Sequence, residues 1–101
     1  MNVVLAALIN MSDVIITLKV MPEDLEVNLD HLFNEVAKKI ESFGGKIKSK
    51  EFQPVAFGIK AVIIKFYIDE AKGWADENEA ELSSIEGVNS INVEEVRRAV
   101  G

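Results

Sequence analysis

Two β-branched segments constrain the fold of this chain most strongly, because both alternate apolar positions and both lead through acidic residues toward a helix. Side chains on a strand point alternately to opposite faces, so every second residue shares a face. The apolar set on one face of the two segments comprises Val14, Ile16, Leu18, Val20, Val62, Ile64, Phe66 and Ile68. The opposite face of the second segment is more mixed, with Ala61, Ile63, Lys65 and Tyr67. We therefore expect two strands that each bury one face.

The residues after the first strand predict a helix with a defined start and end. Asn28 is suited to cap its N-terminus through its side-chain oxygen, and Asp30 places a negative charge in the first turn. The apolar residues at helical spacing are Leu29, Leu32, Phe33, Val36, Ile40 and Phe43. The pair Gly44-Gly45 is typical of a helix end.

A second helical segment begins at Gly73, although its apolar stripe is thin. Its inward-facing positions are predicted to be Ala75, Leu82 and Ile85, with many acidic residues facing outward. The pair Glu86-Gly87 is expected to end this helix. Trp74, at the helix start, is interpreted as a packing anchor.

Two further strands complete the pattern. Residues 46–53 are less apolar, and their lysines are typical of an edge strand, where charge discourages pairing with another chain. Pro54 and Gly58 favour a turn over residues 54–58, because proline lacks an N–H and glycine permits positive φ. The last strand covers residues 88–96. The order β-α-β-β-α-β predicts an α+β, ferredoxin-like sandwich, with two helices on one face of a four-stranded antiparallel sheet.

Composition is consistent with a single small domain. The chain has 101 residues, 49% of them apolar, which is enough for one modest core. We assign residues 12–101 to this domain and residues 1–11 to an N-terminal extension, either disordered or the product of a misassigned start. The apolar run in the extension is too short to span a membrane. The sequence contains no cysteine, which excludes disulfides and thiolate chemistry and favours a cytoplasmic setting.

The net charge of −6 is unevenly distributed along the chain. Five lysines and a single acid, Glu51, lie between Lys46 and Lys65, and Arg97-Arg98 form a second basic group. The overall negative charge argues against a general nucleic-acid binder, because phosphate neutralisation dominates such binding. A solvated lysine surface is the simpler interpretation of the basic hairpin.

No group of residues has the spacing of a catalytic, cofactor or metal site. His31 is the only histidine and lies in the first turn of a helix, where a structural role is expected. Adjacent carboxylates such as Asp76-Glu77 belong to the acidic, solvated part of the chain. We therefore expect a protein that is not an enzyme and that has no cofactor.

Phe57 is the residue that this fold explains least. Full burial of a phenylalanine in a core contributes about 1.5–3 kcal/mol, and a position in a turn forgoes most of that. Phe57 therefore either folds back onto the domain or is presented to a partner. An RNA-recognition motif would need a second stacking aromatic at position 59, where this chain has Ile59.

Four segments, in order, closely resemble the archaeal elongation factor 1-beta family, the nucleotide exchange factors for elongation factor 1-alpha. They are residues 17–22 (TLKVMP), 54–61 (PVAFGIKA), 84–88 (SIEGV) and 96–98 (VRR). The resemblance extends over residues 12–100. Eukaryotic relatives share the Phe-Gly-Ile-Lys hairpin and have a lysine where Arg98 stands.

The resemblance implies a partner-binding site composed of Phe57, Gly58, Lys60, Arg97 and Arg98. In the family, a basic residue near the C-terminus is directed toward the magnesium site of elongation factor 1-alpha, and the hairpin phenylalanine packs on another part of that partner. It therefore implies that Arg98 disturbs the magnesium and phosphate site while Phe57 anchors the complex. No direct contact with nucleic acid or membrane is expected.

Two other functions stay open from the residues alone. One is a small ferredoxin-like nucleic-acid-binding domain that uses the lysine hairpin. The other is a ligand-sensing regulatory domain that dimerises through the strand edges or the open sheet face, where Ile15, Ile63 and Tyr67 are apolar.

Overall fold

The computed structural model describes residues 13–98, which form one antiparallel sheet and two helices. The elements are β1 (Asp13–Pro22), α1 (Leu29–Ser42), β2 (Lys46–Ala56), β3 (Ile59–Asp69), α2 (Asp76–Ser83) and β4 (Val88–Arg98). The strands lie in the order β2-β3-β1-β4. This arrangement confirms the predicted ferredoxin-like fold. The predicted extension over residues 1–11 lies outside the described residues.

The core forms between the helices and one face of the sheet. Strands β1 and β3 pair so that Ile16 is opposite Phe66 and Leu18 is opposite Ile64, which places both apolar sets on the same face. The core-facing strand residues buried to 1% exposure or less are Ile16, Leu18, Val20, Val62, Ile64, Phe66 and Ile68. The other members of the cluster are Leu32, Val36 and Ile40 of α1, Leu82 of α2, and Val88 and Ile91 of β4. The alternation in the sequence therefore identifies the core correctly.

Helix α1 begins and ends as predicted. The Asn28 side-chain oxygen accepts a hydrogen bond from the His31 backbone N–H at 3.0 Å, which satisfies one of the free donors at the helix N-terminus. At the other end Gly44 has a φ of +97°, a conformation that glycine adopts without steric cost. The Gly45 N–H then donates to the Ile40 carbonyl at 3.0 Å.

Helix α2 is shorter than predicted. It begins at Asp76 rather than Gly73, and Ala75 at its N-cap is exposed rather than inward-facing. The Ala75 side chain cannot accept a capping hydrogen bond at this helix start. The start is stabilised instead by acidic residues in the first turn, whose negative charges interact favourably with the positive end of the helix dipole. The predicted Leu82 is buried, and Ile85 packs against the core from the turn that follows the helix.

Trp74 is a packing anchor, as predicted. Its ring centroid lies 5.0 Å from that of Phe66 and 5.8 Å from that of Phe43. It therefore fixes the segment between β3 and α2 against the end of the sheet, in the tilted and edge-on geometries that aromatic pairs favour.

Two strands extend further than predicted. Strand β2 continues past Pro54, which is opposite Lys60, to Ala56. A proline is tolerated there because β2 is an edge strand, with one side free of ladder hydrogen bonds. Strand β4 continues through Arg97 and Arg98, whose backbones pair with Ile15 and Val14 of β1. The predicted turn is thus confined to two residues, and the second basic group, Arg97-Arg98, lies within a strand rather than beyond it.

Candidate partner-binding site

The β2–β3 hairpin turns through only two residues, Phe57 and Gly58. Ala56 and Ile59 are paired across the turn, and φ is +54° at Phe57 and +80° at Gly58. Positive φ at both central positions is the pattern of a type I′ turn, which matches the right-handed twist of the flanking strands. Asn-Gly is the usual sequence for such a turn, and a phenylalanine in the first position is unusual.

Phe57 is unfavourable at this position in two respects. Among the described residues it is the only non-glycine residue with positive φ, a conformation that costs an L-residue roughly 1–2 kcal/mol. Its side chain is also 94% exposed, so hydrophobic burial within the domain does not offset that cost. Of the two predicted alternatives, Phe57 does not fold back onto the domain.

Phe57→Asn is expected to raise the free energy of unfolding by about 1 kcal/mol, because asparagine adopts the left-handed region more readily. Urea unfolding at equilibrium measures the change. Ala56→Asn, one residue earlier in β2, is the control and should not stabilise the chain. An unchanged or lower unfolding midpoint for Phe57→Asn would show that the turn is not strained.

The hairpin tip has an apolar neighbour that sequence reasoning missed. Leu25 lies in the loop between β1 and α1, and its side chain is 64% exposed. Its Cδ2 atom would lie 3.4 Å from a Cβ atom built on Gly58, so the loop and the hairpin tip are in contact. A small cleft between them is lined by Pro22, Asp24, Leu25, Val27, Leu29, Gly58, Ile59 and Lys60. The only sign of this neighbour in the sequence is that Leu25 is an apolar residue between two acidic ones, Asp24 and Glu26.

The two arginines lie at the end of β4 and point to opposite faces of the sheet. Arg97 is in register with Ile15 on the open face, and Arg98 is in register with Val14 on the helix-covered face. The Arg98 Nη2 atom donates to Glu70 Oε2 at 2.7 Å. Both side chains of this ion pair are exposed, so it contributes at most about 1 kcal/mol.

The structure brings the predicted site residues together in two groups rather than one. Phe57, Gly58 and Lys60 lie at the hairpin end of the sheet. Arg97 and Arg98 lie at the opposite end, because Arg98 pairs with Val14 and Val14 pairs with Ile68. Each strand residue advances by about 3.3 Å, so the stretch from Ile59 to Ile68 separates the two groups by roughly 30 Å.

One lysine of the basic hairpin, Lys50, has a structural role within the domain. The Lys50 ammonium lies 3.4 Å from Asp30 Oδ1 and 4.6 Å from the centre of the Phe33 ring, so this lysine packs α1 against β2. Within residues 13–98, no three histidine or acidic side chains are placed to hold a metal ion. Neither α1 nor α2, the helices of the described part of the chain, is long and apolar enough to cross a membrane.

The sequence of the chain matches the model of a known protein family. The sequence model of the EF-1 guanine nucleotide exchange domain matches residues 15–99, a range that contains both groups of site residues. The chain belongs to this family. The resemblance that the four short segments indicate is thereby confirmed.

Members of the exchange-domain family from archaea match over almost their whole length. Elongation factor 1-beta of Sulfurisphaera tokodaii is 40% identical over 89 residues, which cover 87% of this chain and 97% of that protein. Elongation factor 1-beta of Methanothermobacter thermautotrophicus is 39% identical over 88 residues, covering 87% and 98%. Elongation factor 1-beta of Archaeoglobus fulgidus is 33% identical over 86 residues, covering 85% and 97%.

Two solved structures resemble this exchange domain in fold alone. The C-terminal domain of the MgtC protein from Mycobacterium tuberculosis has a TM-score of 0.62 and 11% identity, covering 87% of this chain and 89% of that one. The ACT domain from the GTP pyrophosphokinase of Chlorobium tepidum has a TM-score of 0.54 and 16% identity, covering 80% and 97%. At such low identity neither structure indicates a function for this chain.

Proposed function

We propose that this chain promotes the exchange of GDP for GTP on elongation factor 1-alpha. The observation that carries the proposal is the state of Phe57, which is 94% exposed at a tight turn with a φ of +54°. A side chain that lowers the stability of the free domain and contacts little of it is suited to binding a partner. Membership of the EF-1 guanine nucleotide exchange domain family supports an exchange role in translation elongation.

In this proposal, Phe57 is the apolar anchor of the complex. Burying the ring in a pocket of the partner removes from water most of the surface that is exposed in the free chain, which is worth about 1.5–3 kcal/mol. The tight turn holds the ring in one position, so little conformational entropy is lost on binding. Gly58 permits the turn, and Lys60 places a positive charge beside it.

Arg98 is the residue that disturbs nucleotide binding, with Arg97 adjacent. Elongation factor 1-alpha holds GDP through a phosphate loop and a magnesium ion, which together compensate the phosphate charge. A guanidinium directed toward that site raises the energy of the bound cation by like-charge repulsion, and the phosphates are then held less tightly. To reach that site, Arg98 must break its ion pair with Glu70. The pair is exposed to solvent, so breaking it costs at most about 1 kcal/mol.

The separation of the two groups supports two distinct contacts on a large partner. Phe57 and Arg98 lie roughly 30 Å apart along the sheet, which is too far for one pocket to accept both. The hairpin can therefore hold one part of the GTPase while the end of β4 approaches the nucleotide site. Because the two residues are on a rigid sheet, anchoring one end restricts where the other end can lie.

Linkage completes the exchange cycle. If the chain weakens the binding of nucleotide, nucleotide weakens the binding of the chain by the same factor. GDP is then released as the complex forms, and incoming GTP displaces the chain. No covalent step is required, so the chain acts as an exchange factor without covalent chemistry, in the cytoplasm where protein synthesis proceeds.

The proposal is tested by nucleotide release. Elongation factor 1-alpha loaded with fluorescent GDP is mixed with unlabelled GTP and an excess of this chain. We expect release to accelerate about 100-fold, as it would if typical coupling between two binding sites, about 5- to 150-fold in affinity, appears in the dissociation rate of GDP. An equal concentration of an unrelated acidic ferredoxin-like domain is the control. Release at the intrinsic rate under stoichiometric excess would rule out the proposed function.

A further inference from the structure

We propose that Leu25, Val55 and Phe57, here called the hairpin-end patch, form one apolar docking surface with an acidic rim. Its partner is a pocket on the GTPase that is apolar at its centre and bordered by lysine or arginine side chains. This inference rests on the proposed exchange function. It adds the loop between β1 and α1 as a second contact segment beside the hairpin.

Exposed apolar side chains are concentrated at the hairpin end of the sheet. Of the four large hydrophobic residues that are exposed in the described part of the chain, Leu25, Val55 and Phe57 lie at this end, and Val96 lies toward the other. Leu25 and the hairpin tip belong to different segments but meet at Gly58, where a Cβ atom would be in van der Waals contact with the leucine side chain. Scattered single apolar residues are ordinary on a surface, whereas a contiguous group points to an interface.

Leu25 is held in place by the backbone around it. The Glu26 N–H donates to Asp24 Oδ1 at 2.8 Å, which closes a short turn across Leu25. The Glu23 N–H donates to the Gly87 carbonyl at 2.9 Å, which attaches the same loop to the turn before β4. A loop fixed on both sides presents its apolar side chain in one position, and such pre-organisation favours binding.

The rim of the patch specifies the charge of the partner. Leu25 is flanked in the loop by exposed acidic residues, and Glu86 lies across the adjoining groove. The acidic side chains that line this groove are Glu23, Asp24, Glu26, Glu35 and Glu86. These five carboxylates outnumber the single positive charge of Lys60, which lines the cleft at the hairpin tip. Beside an apolar centre they repel an acidic surface and attract a basic one, so they select the partner and accelerate encounter.

The first experiment measures the affinity of the full chain for GDP-free elongation factor 1-alpha by titration calorimetry. Leu25→Gln is expected to raise Kd about tenfold, because most of a leucine side chain no longer enters an apolar contact. Lys38→Gln, on the exposed side of α1, is the matched control and should bind like the unmodified chain. Since Leu25 is mostly exposed, circular dichroism should show both variants folded.

A second experiment separates direct contact from support of the hairpin. If Leu25 contacts the partner, Leu25→Gln weakens binding further when Phe57→Ala is already present. If Leu25 acts only by positioning the hairpin tip, the double variant binds like Phe57→Ala alone. That second outcome overturns the docking surface proposed here.

A third experiment tests the acidic rim by stopped-flow association. Glu26→Gln is expected to lower the association rate constant two- to fivefold at low salt and to reduce its dependence on ionic strength. An unchanged salt dependence would contradict a partner surface of opposite charge.

If Leu25→Gln binds within twofold of the unmodified chain, the inference fails while the exchange function stands. If the unmodified chain itself does not accelerate GDP release, the exchange function fails instead.

Discussion

Phe57→Ala is expected to weaken binding of the chain to elongation factor 1-alpha by about 10- to 100-fold, because the ring forms the apolar anchor of the proposed complex. The side chain is 94% exposed in the free domain, so its whole burial energy of about 1.5–3 kcal/mol is available for association. Each 1.4 kcal/mol corresponds to a factor of about ten in Kd. Calorimetric titration of the nucleotide-free GTPase measures the difference.

Two observations separate this effect from a folding defect. Alanine has the same difficulty with positive φ at position 57, and the lost side chain contacts little of the domain, so the unfolding midpoint should hardly change. Phe57→Tyr keeps the ring and should bind within a few-fold of the unmodified chain. If Phe57→Ala binds normally, the hairpin is not the anchor, even though the family assignment stands.

Arg98→Ala is expected to lower the maximal rate of GDP release by at least about 30-fold, with a smaller effect on affinity for the GTPase. Removing one charge from a desolvated charged contact costs about 2–5 kcal/mol, and here the charge acts during nucleotide release rather than in holding the partner. Release of fluorescent GDP at saturating concentrations of the chain measures the maximal rate. The half-saturating concentration measures affinity in the same titration.

Arg98→Lys is the matched variant for this prediction. It keeps the positive charge that the mechanism needs, as in eukaryotic relatives with lysine at this position, but loses the planar guanidinium. We therefore expect it to retain most of the maximal rate. The Glu70 ion pair is exposed, so neither variant should lose more than about 1 kcal/mol of stability. Equal maximal rates for Arg98→Ala and the unmodified chain would remove Arg98 from the mechanism.

Local patterns in the sequence predict most of the fold. The alternation through Val62, Ile64 and Phe66 identifies a strand and its buried face, since burial of one face is what maintains such a pattern. Asn28 identifies a helix start and Gly44 a helix end, because both act through their own backbone geometry. Each of these signals depends on neighbours in sequence, so it is visible without a structure.

The limits of the strands depend on partners that are distant in sequence and were predicted less well. Pro54 reads as a turn residue, yet it lies in β2 because that strand has a free edge. Arg97 and Arg98 have no apolar face to mark a strand, but their backbones pair with β1. Backbone pairing is largely independent of side-chain polarity, so it produces no alternating pattern of apolar residues in the sequence.

The candidate site was likewise predicted in part. The sequence identifies Phe57 as an aromatic in a turn, and the structure adds that it is exposed and has positive φ. The contact between Leu25 and the hairpin tip joins two loops far apart in sequence, and no local pattern reports such a contact. The roles of Arg97 and Arg98 stay predictions that follow from the family resemblance.

The packing of Trp74 has a practical consequence for all these experiments. It is the only tryptophan of the chain, it rests on Phe66 and Phe43, and it belongs to the Arg98 end of the sheet rather than the hairpin end. Its indole Nε1 is buried, although the residue as a whole is only half-buried. The domain thus contains an intrinsic fluorophore that reports the integrity of its core, and variants at the hairpin can be checked for folding without an attached dye.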